Sequence, residues 1–149
     1  MEITTARFGN VQIEEKQIIH IPSGIIGFPE DPSYVLREHR PGSPFLWLQS
    51  IDHGNLAFVL TDPFLFFPDY EFEISPDDLS SLELKNGLEG IQIFVIVNIL
   101  NGSPLEVTAN LLGPIILNSP KKLAKQIVLS QSAYSCRHPL PLSQKSKAP

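Results

Sequence analysis

The sequence contains a single cysteine and no long hydrophobic run. Because Cys136 is the only cysteine in 149 residues, the chain cannot close an internal disulfide. The most apolar stretch, IQIFVIVNIL at 91–100, is far shorter than the roughly 20 residues that a membrane-spanning helix needs. The first residues, MEITTARFGN, carry an acid at position 2 and lack the basic start and apolar core of a secretory signal. We therefore expect a cytoplasmic protein in a reducing compartment.

Motifs for catalysis, cofactors and metals are missing as well. The chain has no GxGxxG or P-loop pattern, and no two histidines stand at a spacing that places both on one helix or strand face. Asp52-His53-Gly54 follows Ser50, but adjacent residues of an extended chain point to opposite faces, so we interpret this stretch as a polar turn. The four histidines are His20, His39, His53 and His138. The sequence thus predicts no enzyme, no cofactor and no metal site.

Acidic and basic residues are unevenly distributed. Residues 1–120 hold all 16 acids against five bases, a net charge of −11, whereas residues 121–149 hold six bases and no acid. Such an acidic body repels phosphate backbones, so direct nucleic-acid binding is not expected. It attracts a basic protein, because complementary fields speed encounter. The alternative is that these acids only keep the protein soluble.

Short β-branched runs bounded by turn residues predict an all-β fold. Closure of these strands into a small, irregular, mostly antiparallel barrel or sandwich would avoid exposed edges. The run at 91–100 does not alternate and is predicted to be a central strand covered on both sides. Asn101-Gly102 after it predicts a tight hairpin. The predicted strands are Glu2–Ala6, Val11–Ile13, Ile18–Ile21, Tyr34–Arg37, Phe45–Ser50, Leu56–Thr61, Tyr70–Ile74, Ile91–Leu100, Leu105–Leu111, Ile115–Asn118 and Lys125–Leu129.

One or two short helices are expected beside these strands. Ser75 can cap a helix, Pro76 suits its first position, and the acids at 77–78 face the positive end of its dipole. Asn86-Gly87 is expected to end this helix. Residues 119–125 predict a turn or a single helical turn, because lysines in a first turn oppose the helix dipole.

The chain length predicts one domain followed by a tail. A domain of this size buries about 68–70% of the surface that its unfolded chain exposes, which is enough for a core without disulfides. We expect a β-barrel-like domain over residues 1–134. Residues 135–149 are basic, polar and contain prolines, and we expect them to form a flexible tail.

Residues 62–74, DPFLFFPDYEFEI, combine four phenylalanines and a tyrosine with two prolines. The second half, Tyr70–Ile74, alternates and predicts a half-buried strand. Pro63 and Pro68 bracket the first half and exclude a central strand, so at least one aromatic there should lie near the surface. Aromatics beside acids favour a protein-binding surface. The candidate partner-binding residues are Asp62, Phe64, Phe67, Asp69, Tyr70, Glu71 and Glu73.

Other conspicuous residues are interpreted as structural. The glycines of residues 22–28 permit backbone angles that a loop needs. Trp47, the single tryptophan, is interpreted as core filler. Asn110 and Asn118 either tie strand ends together or contact a partner, and both readings stay open.

Five sequence blocks, in order, resemble the flagellar assembly factor FliW family. They are FGNVQIEEKQIIHIPSGIIGF at 8–28, PFLWLQS at 44–50, AFVLTDPFLFFPDYEFEIS at 57–75, VTANLLGPIILN at 107–118 and KQIVL at 125–129. The chain departs from the family pattern at Ala109 and Gly113, where valine and alanine are common. Motif residues of these blocks that we expect to shape the fold are Phe8, Gly9, Pro22, Gly24, Gly27, Phe28, Trp47, Gln49, Asn110, Pro114 and Asn118.

The resemblance implies a non-enzymatic, cytoplasmic bacterial protein with a β-barrel-like fold. Members of the family bind flagellin before its export, and they bind CsrA, a small RNA-binding protein that represses flagellin translation. Flagellin retained in the cell occupies the factor and leaves CsrA free. After export, the freed factor captures CsrA and translation resumes. The implied partners are therefore flagellin and CsrA, without a membrane or a direct nucleic-acid ligand.

Two other function classes compete with this implication. A generic β-barrel module would bind a carbohydrate or another small ligand, which requires a concave site with convergent polar groups. A hydrolase would be built around Asp52-His53 or Cys136, although a thiol beside Arg137 and His138 is more simply an incidental one.

Overall fold

The computed structural model describes residues 1–84, 88, 90–100, 106–130 and 132–140. Within these residues the chain forms strands, one short α-helix and two single 3₁₀ turns. The helix α1 is Pro76–Ser81, and the 3₁₀ turns are Glu15–Gln17 and Pro63–Leu65. The strands are β1 Glu2–Thr5, β2 Gly9–Gln12, β3 Ile19–His20, β4 Ser33–Glu38, β5 Phe45–Ser50, β6 Ala57–Thr61, β7 Ile91–Leu100, β8 Glu106–Ala109, β9 Ile115–Asn118, β10 Leu123–Gln126 and β11 His138–Pro139.

Seven of these strands close a barrel. Their order is β7-β6-β5-β4-β3-β10-β9, and the ring closes because β9 pairs with β7 as well as with β10. Every pair in the ring is antiparallel except β3 with β10, which are parallel at His20 and Leu123. Strands β8 and β11 extend the sheet from β7. The predicted all-β, mostly antiparallel barrel is confirmed.

Strand β7 is the central strand, as its sequence predicted. Its first half pairs with β9, its middle with β6 and its second half with β8. Phe94, 6% exposed, packs in the cluster that fills the barrel, whereas its neighbour Val95, fully buried, packs in a second cluster against Tyr70 and Leu111. The strand is thus covered on both faces at these positions, which explains why its sequence does not alternate.

The β1–β2 hairpin lies outside the barrel and covers its tryptophan. The ring of Phe8 packs edge-on against Trp47 at 6.2 Å, and the guanidinium of Arg7 stacks over the indole at 4.0 Å. The N–H of Ala6 donates to the carbonyl of Gly54, which ties the hairpin to the β5–β6 turn. Trp47 is half-buried there. Its predicted role as core filler is wrong, because it points away from the barrel interior that Leu48 fills.

Helix α1 begins as its sequence predicted. The Oγ of Ser75 accepts a hydrogen bond from the N–H of Asp78 at 3.1 Å, and Pro76 occupies the first turn. The helix ends at Ser81, and the predicted terminator Asn86-Gly87 lies outside the described residues. Just beyond it, the carbonyl of Leu82 accepts from Nδ2 of Asn118 at 2.7 Å. Asn118 therefore ties a strand end to the helix end.

The predicted strand over Tyr70–Ile74 is not a strand in the structure. Exposure alternates along it as expected, with Tyr70 buried, Phe72 half-buried, and Glu71 and Glu73 exposed. However, the segment pairs with no strand in the described part of the chain. The N–H of Glu71 donates instead to the phenol of Tyr134 at 3.1 Å, and the aromatic side chains hold the segment against the second cluster. Alternating burial therefore does not require a ladder.

The end of the domain also differs from the prediction. Strand β11 pairs with β8, with His138 opposite Ala109, and Leu140 is buried at 8% exposure. The boundary at residue 134 is therefore wrong, because the fold continues to residue 140. The predicted strand over 125–129 begins earlier, at Leu123. The hairpin residues 101–102 and the tail residues 141–149 lie outside the described residues.

We predict that Gly54→Ala destabilises the protein by about 2–3 kcal/mol, because a Cβ there would collide with the carbonyl oxygen of Thr4 and separate the hairpin from the barrel. Urea unfolding followed by Trp47 fluorescence measures the effect, and the native emission should shift as the indole loses its cover. Gly42→Ala is the control, since its Cβ meets open space and only its φ of +80° costs about 1 kcal/mol. Equal destabilisation by both variants would contradict this account.

Candidate functional site

The segment after β6 forms an exposed apolar turn. Asp62 caps the 3₁₀ turn Pro63–Leu65, since its Oδ1 accepts from the N–H of Phe64 at 2.9 Å. The turn directs Phe64 and Leu65 outward, where they are 39% and 52% exposed. Phe66 and Phe67 point inward and are half-buried. The expectation that at least one aromatic of this stretch lies near the surface is confirmed.

Aromatic rings support this turn from beneath. Phe66 stacks on Phe45 at 6.3 Å, and Phe67 packs edge-on against His138 at 4.8 Å. Tyr70 contacts the ring of Phe64 at 5.9 Å and that of Tyr134 at 4.8 Å. The inner side of the exposed turn therefore contacts packed aromatic side chains and not solvent.

Tyr70 is a buried support and not a surface contact. It is 4% exposed, and its phenol donates to the carbonyl of Leu111 at 2.6 Å. Burial raises the pKa of Tyr70 well above its ordinary value, so the phenol stays neutral and keeps its donor. Its predicted place among partner-contacting residues is wrong, because a partner cannot reach it.

Acidic side chains border the exposed turn on its C-terminal side. Asp69, Glu71 and Glu73 are exposed, and Asp62, which precedes the turn, is half-buried. The structure therefore brings Asp62 and Phe64 together at one turn through the Asp62 cap, whereas Asp69, Glu71 and Glu73 follow along the chain. Sequence reasoning missed Leu65, although Asp62-Pro63 is the usual start of such a turn and could have indicated that the next residues face out.

A groove of about 400 Å³ lies beside Phe28 and His53 and tests the hydrolase alternative. Nδ1 of His53 contacts the carboxylate of Asp31, and Oγ of Ser50 donates to the same carboxylate at 3.0 Å. Ser50 is fully buried, and it accepts from the backbone N–H of His53 rather than from its ring. This arrangement ties the 50–53 turn to residue 31 and does not present a nucleophile.

Where the described residues line it, the barrel interior has no room for a small ligand. It contains a void of about 10 Å³ lined by aliphatic side chains and Phe94, which is at most the space of a single water. Among the described residues, no group of three or more His, Cys, Asp and Glu side chains is placed to hold a metal ion. No helix in the same residues is long and apolar enough to cross a membrane. Cys136 is exposed.

Several motif residues hold loops together. Gly24 has a φ of +69°, and a Cβ there would collide with the carbonyl of Phe28. Phe28 itself is 39% exposed and packs edge-on against Phe58. Buried Gln49 places Nε2 within 3.1 Å of the carbonyls of Ser50, Gly54 and Leu56.

The loop between β8 and β9 is held by Asn110. Its Oδ1 accepts from the N–H of Leu112 at 3.1 Å and of Gly113 at 3.0 Å, just before the buried Pro114. Asn110 and Asn118 thus both stabilise the ends of strands. The remaining motif residues are Gly9 at the start of β2, Pro22, which is exposed, and Gly27, whose φ of +95° lies in the region that favours glycine.

Comparison with known proteins gives concordant matches. A family model described as FliW protein matches residues 2–140. The flagellar assembly factor FliW of Natranaerobius thermophilus is 41% identical over 99% of this chain and 97% of its own length. Those of Syntrophus aciditrophicus and Bacillus subtilis are 44% and 40% identical, over 93% and 94% of this chain and 86% and 96% of their own lengths. A crystal structure of the flagellar assembly factor FliW matches with a TM-score of 0.84 and 34% identity, over 93% of this chain and 96% of that one.

We predict that the contribution of His53 to stability falls as pH rises. The hydrogen bond and charge of Asp31 raise the pKa of His53 above its ordinary value. The charged imidazole therefore stabilises the fold fully below the unfolded pKa, about 6.5, and this contribution is lost as pH rises through the higher folded pKa. His53→Gln should lower the urea midpoint more at about pH 5.5 than at about pH 8.5.

The matched control for this pH effect is the Asp31→Asn background. There, the difference between the effects of His53→Gln at the two pH values should become smaller, because Asp31 contributes most to the raised pKa of His53 and only the charges of Asp52 and Glu30 remain. A pH-independent effect of His53→Gln in the wild-type background would show that the pair does not contribute in this way.

Proposed function

This chain belongs to the FliW family, whose named members are flagellar assembly factors, and we propose that it serves flagellum assembly by switching between two protein partners. In the cytoplasm it binds flagellin without catalysis. When flagellin has been exported, the free protein binds CsrA and antagonises it, which relieves the repression of flagellin translation. When flagellin accumulates, it occupies the protein, and CsrA again represses the message.

The exposed turn of Phe64 and Leu65 carries the flagellin part of this proposal. The terminal segments of flagellin are amphipathic helices that are unpaired before assembly, and such helices bind through apolar side chains. Phe64 and Leu65 offer an apolar contact on a supported turn. Asp62 and Asp69, which flank this turn in the sequence, would supply the polar residues expected at the rim of a protein interface.

The acidic body supports antagonism of CsrA. An RNA-binding protein must present positive charge to phosphates. Residues 1–120 carry a net charge of −11, so docking them beside CsrA lowers the positive potential that RNA meets. Repulsion of the RNA then does not require that the RNA site is covered.

We predict that Phe64→Ala weakens flagellin binding about tenfold or more, because a partly buried aromatic at an interface is a typical hot spot. Isothermal titration with purified, unassembled flagellin measures the affinity. The variant should keep its urea stability within about 1 kcal/mol, since the side chain is 39% exposed. Ile26→Ala is the matched control, because Ile26 is an exposed apolar residue, at 59%, on a different loop. Unchanged flagellin affinity in the folded Phe64→Ala variant would refute the assignment of this turn.

We also predict that salt weakens the binding of one partner and hardly affects the binding of the other. The affinity for CsrA should fall steeply between about 50 and 500 mM salt, since screening weakens attraction between separated charges. The affinity for flagellin should change little, because its contact is apolar. The same titrations measure both values. If the affinity for CsrA is constant over this range, charge does not drive the antagonism.

A further inference from the structure

A groove of about 430 Å³ runs between residues 71–75 on one side and residues 127–130 and 132 on the other. One wall is the segment that alternates in exposure without joining a sheet. The other wall follows β10. The principal lining side chains are Glu71, Phe72, Glu73, Val128, Leu129 and Ser130.

The first wall resembles an unpaired sheet edge. Among the described residues, the N–H groups of Phe72, Glu73 and Ile74 have no hydrogen-bond partner. An extended backbone with free N–H and C=O groups is a template for a further strand. Residues 71–74 therefore offer main-chain hydrogen bonds to whatever enters the groove.

The second wall also has a backbone N–H without a partner among the described residues, at its centre. The N–H of Ile127 donates to the carbonyl of Pro114 at 2.9 Å, and the N–H of Leu129 donates to that of Leu112 at 2.8 Å. Because successive N–H groups of an extended chain point in opposite directions, the N–H of Val128 points away from residues 112–114. It has no partner in the described part of the chain, and the Val128 side chain is 55% exposed.

The side chains of the groove define what it can bind. Glu71 and Glu73 lie two residues apart, so they share one side of the segment, whereas half-buried Phe72 lies on the other side. Asp78 also lines the groove, but Lys125 engages its carboxylate at 2.6 Å and holds its pKa below the usual range. Within the described residues, the two glutamates form no ion pair. Their carboxylates can therefore pair with positive charges of a molecule that binds in the groove.

We propose that this groove binds an extended segment of a protein partner, which adds as a strand along residues 71–74 and places lysine or arginine side chains opposite Glu71 and Glu73. Basic residues at alternate positions meet the glutamates, and apolar residues between them meet Phe72 and Val128. The inference deepens the proposed function and rests on it for the protein that carries the segment.

A synthetic peptide tests the groove without either partner. The probe is a fluorescein-labelled, seven-residue peptide of alternating lysine and valine, titrated with the full chain while its fluorescence anisotropy is measured. We expect saturable binding, and weakening of about five- to tenfold in the double variant Glu71→Gln/Glu73→Gln, because two exposed ion pairs are lost. The matched control Glu14→Gln/Glu38→Gln removes two exposed acids elsewhere and should bind as the wild type does. Equal weakening by both double variants would overturn the proposal.

Backbone methylation distinguishes strand addition from charge attraction alone. In a paired strand, only every second N–H donates to the neighbouring strand. Two probes are N-methylated, one at every lysine and one at every valine. One of them should lose binding at least tenfold and the other should retain it. If both bind like the unmodified probe, the segment is held by charge alone and strand addition is wrong.

The remaining outcomes separate this proposal from its premise. If a second copy of this chain occupies the groove, sedimentation will show a dimer that Glu71→Gln/Glu73→Gln leaves intact, and the probe will fail to bind, which overturns the proposal. If the probe binds as expected but flagellin and CsrA do not bind the chain, the groove is correct and the partner switch is wrong. If both partners bind and the probe does not, the partner switch stands and the groove assignment falls.

Discussion

Strand β7 pairs with three other strands, and the barrel depends on this sharing. Residues 91–94 hold β9, residues 95–97 hold β6, and the last residues hold β8. A strand that pairs with three others and is covered on both faces must be long, free of proline and apolar on both faces. A register shift of one residue would exchange Phe94 and Val95 between two different hydrophobic clusters, so the pairing is strongly specified. Loss of the β7–β9 pair would open the ring.

Because the barrel interior is filled by side chains, the candidate binding regions lie on the outer surface. The interior is closed by aliphatic packing, and the second cluster lies outside it, where β8, β11 and residues 66–72 meet. This outer cluster gives the chain a rigid base for surface turns and grooves. Both candidate contact regions, the Phe64–Leu65 turn and the groove beside Glu71, are built on it. The architecture thus suits a protein that recognises other proteins through its outer surface.

Short sequence patterns were sufficient to predict structure that depends only on neighbouring residues. Ser75-Pro76 placed the helix correctly because a cap and a first-turn proline act within one turn. Tyr70–Ile74 was predicted as a strand because alternation reports which side chains are buried, but it does not report whether a neighbouring strand exists. His138–Pro139 was missed for the converse reason. Its polar composition resembles a tail, and only the distant partner β8 makes it a strand. Likewise, Phe64 could be expected near the surface, whereas the groove depends on residues 127–130, which are far away in the sequence.

The hydrogen bond from Tyr70 to Leu111 has a consequence for the contact proposed at the exposed turn. It joins the segment that follows the exposed turn to the loop between β8 and β9, across 41 residues of sequence. This bond restrains the chain that follows the turn, so association at the turn would cost this chain less conformational entropy than association at a free loop. Docking on such a surface proceeds with small backbone movement on this side. The ordering cost of association then falls on the partner.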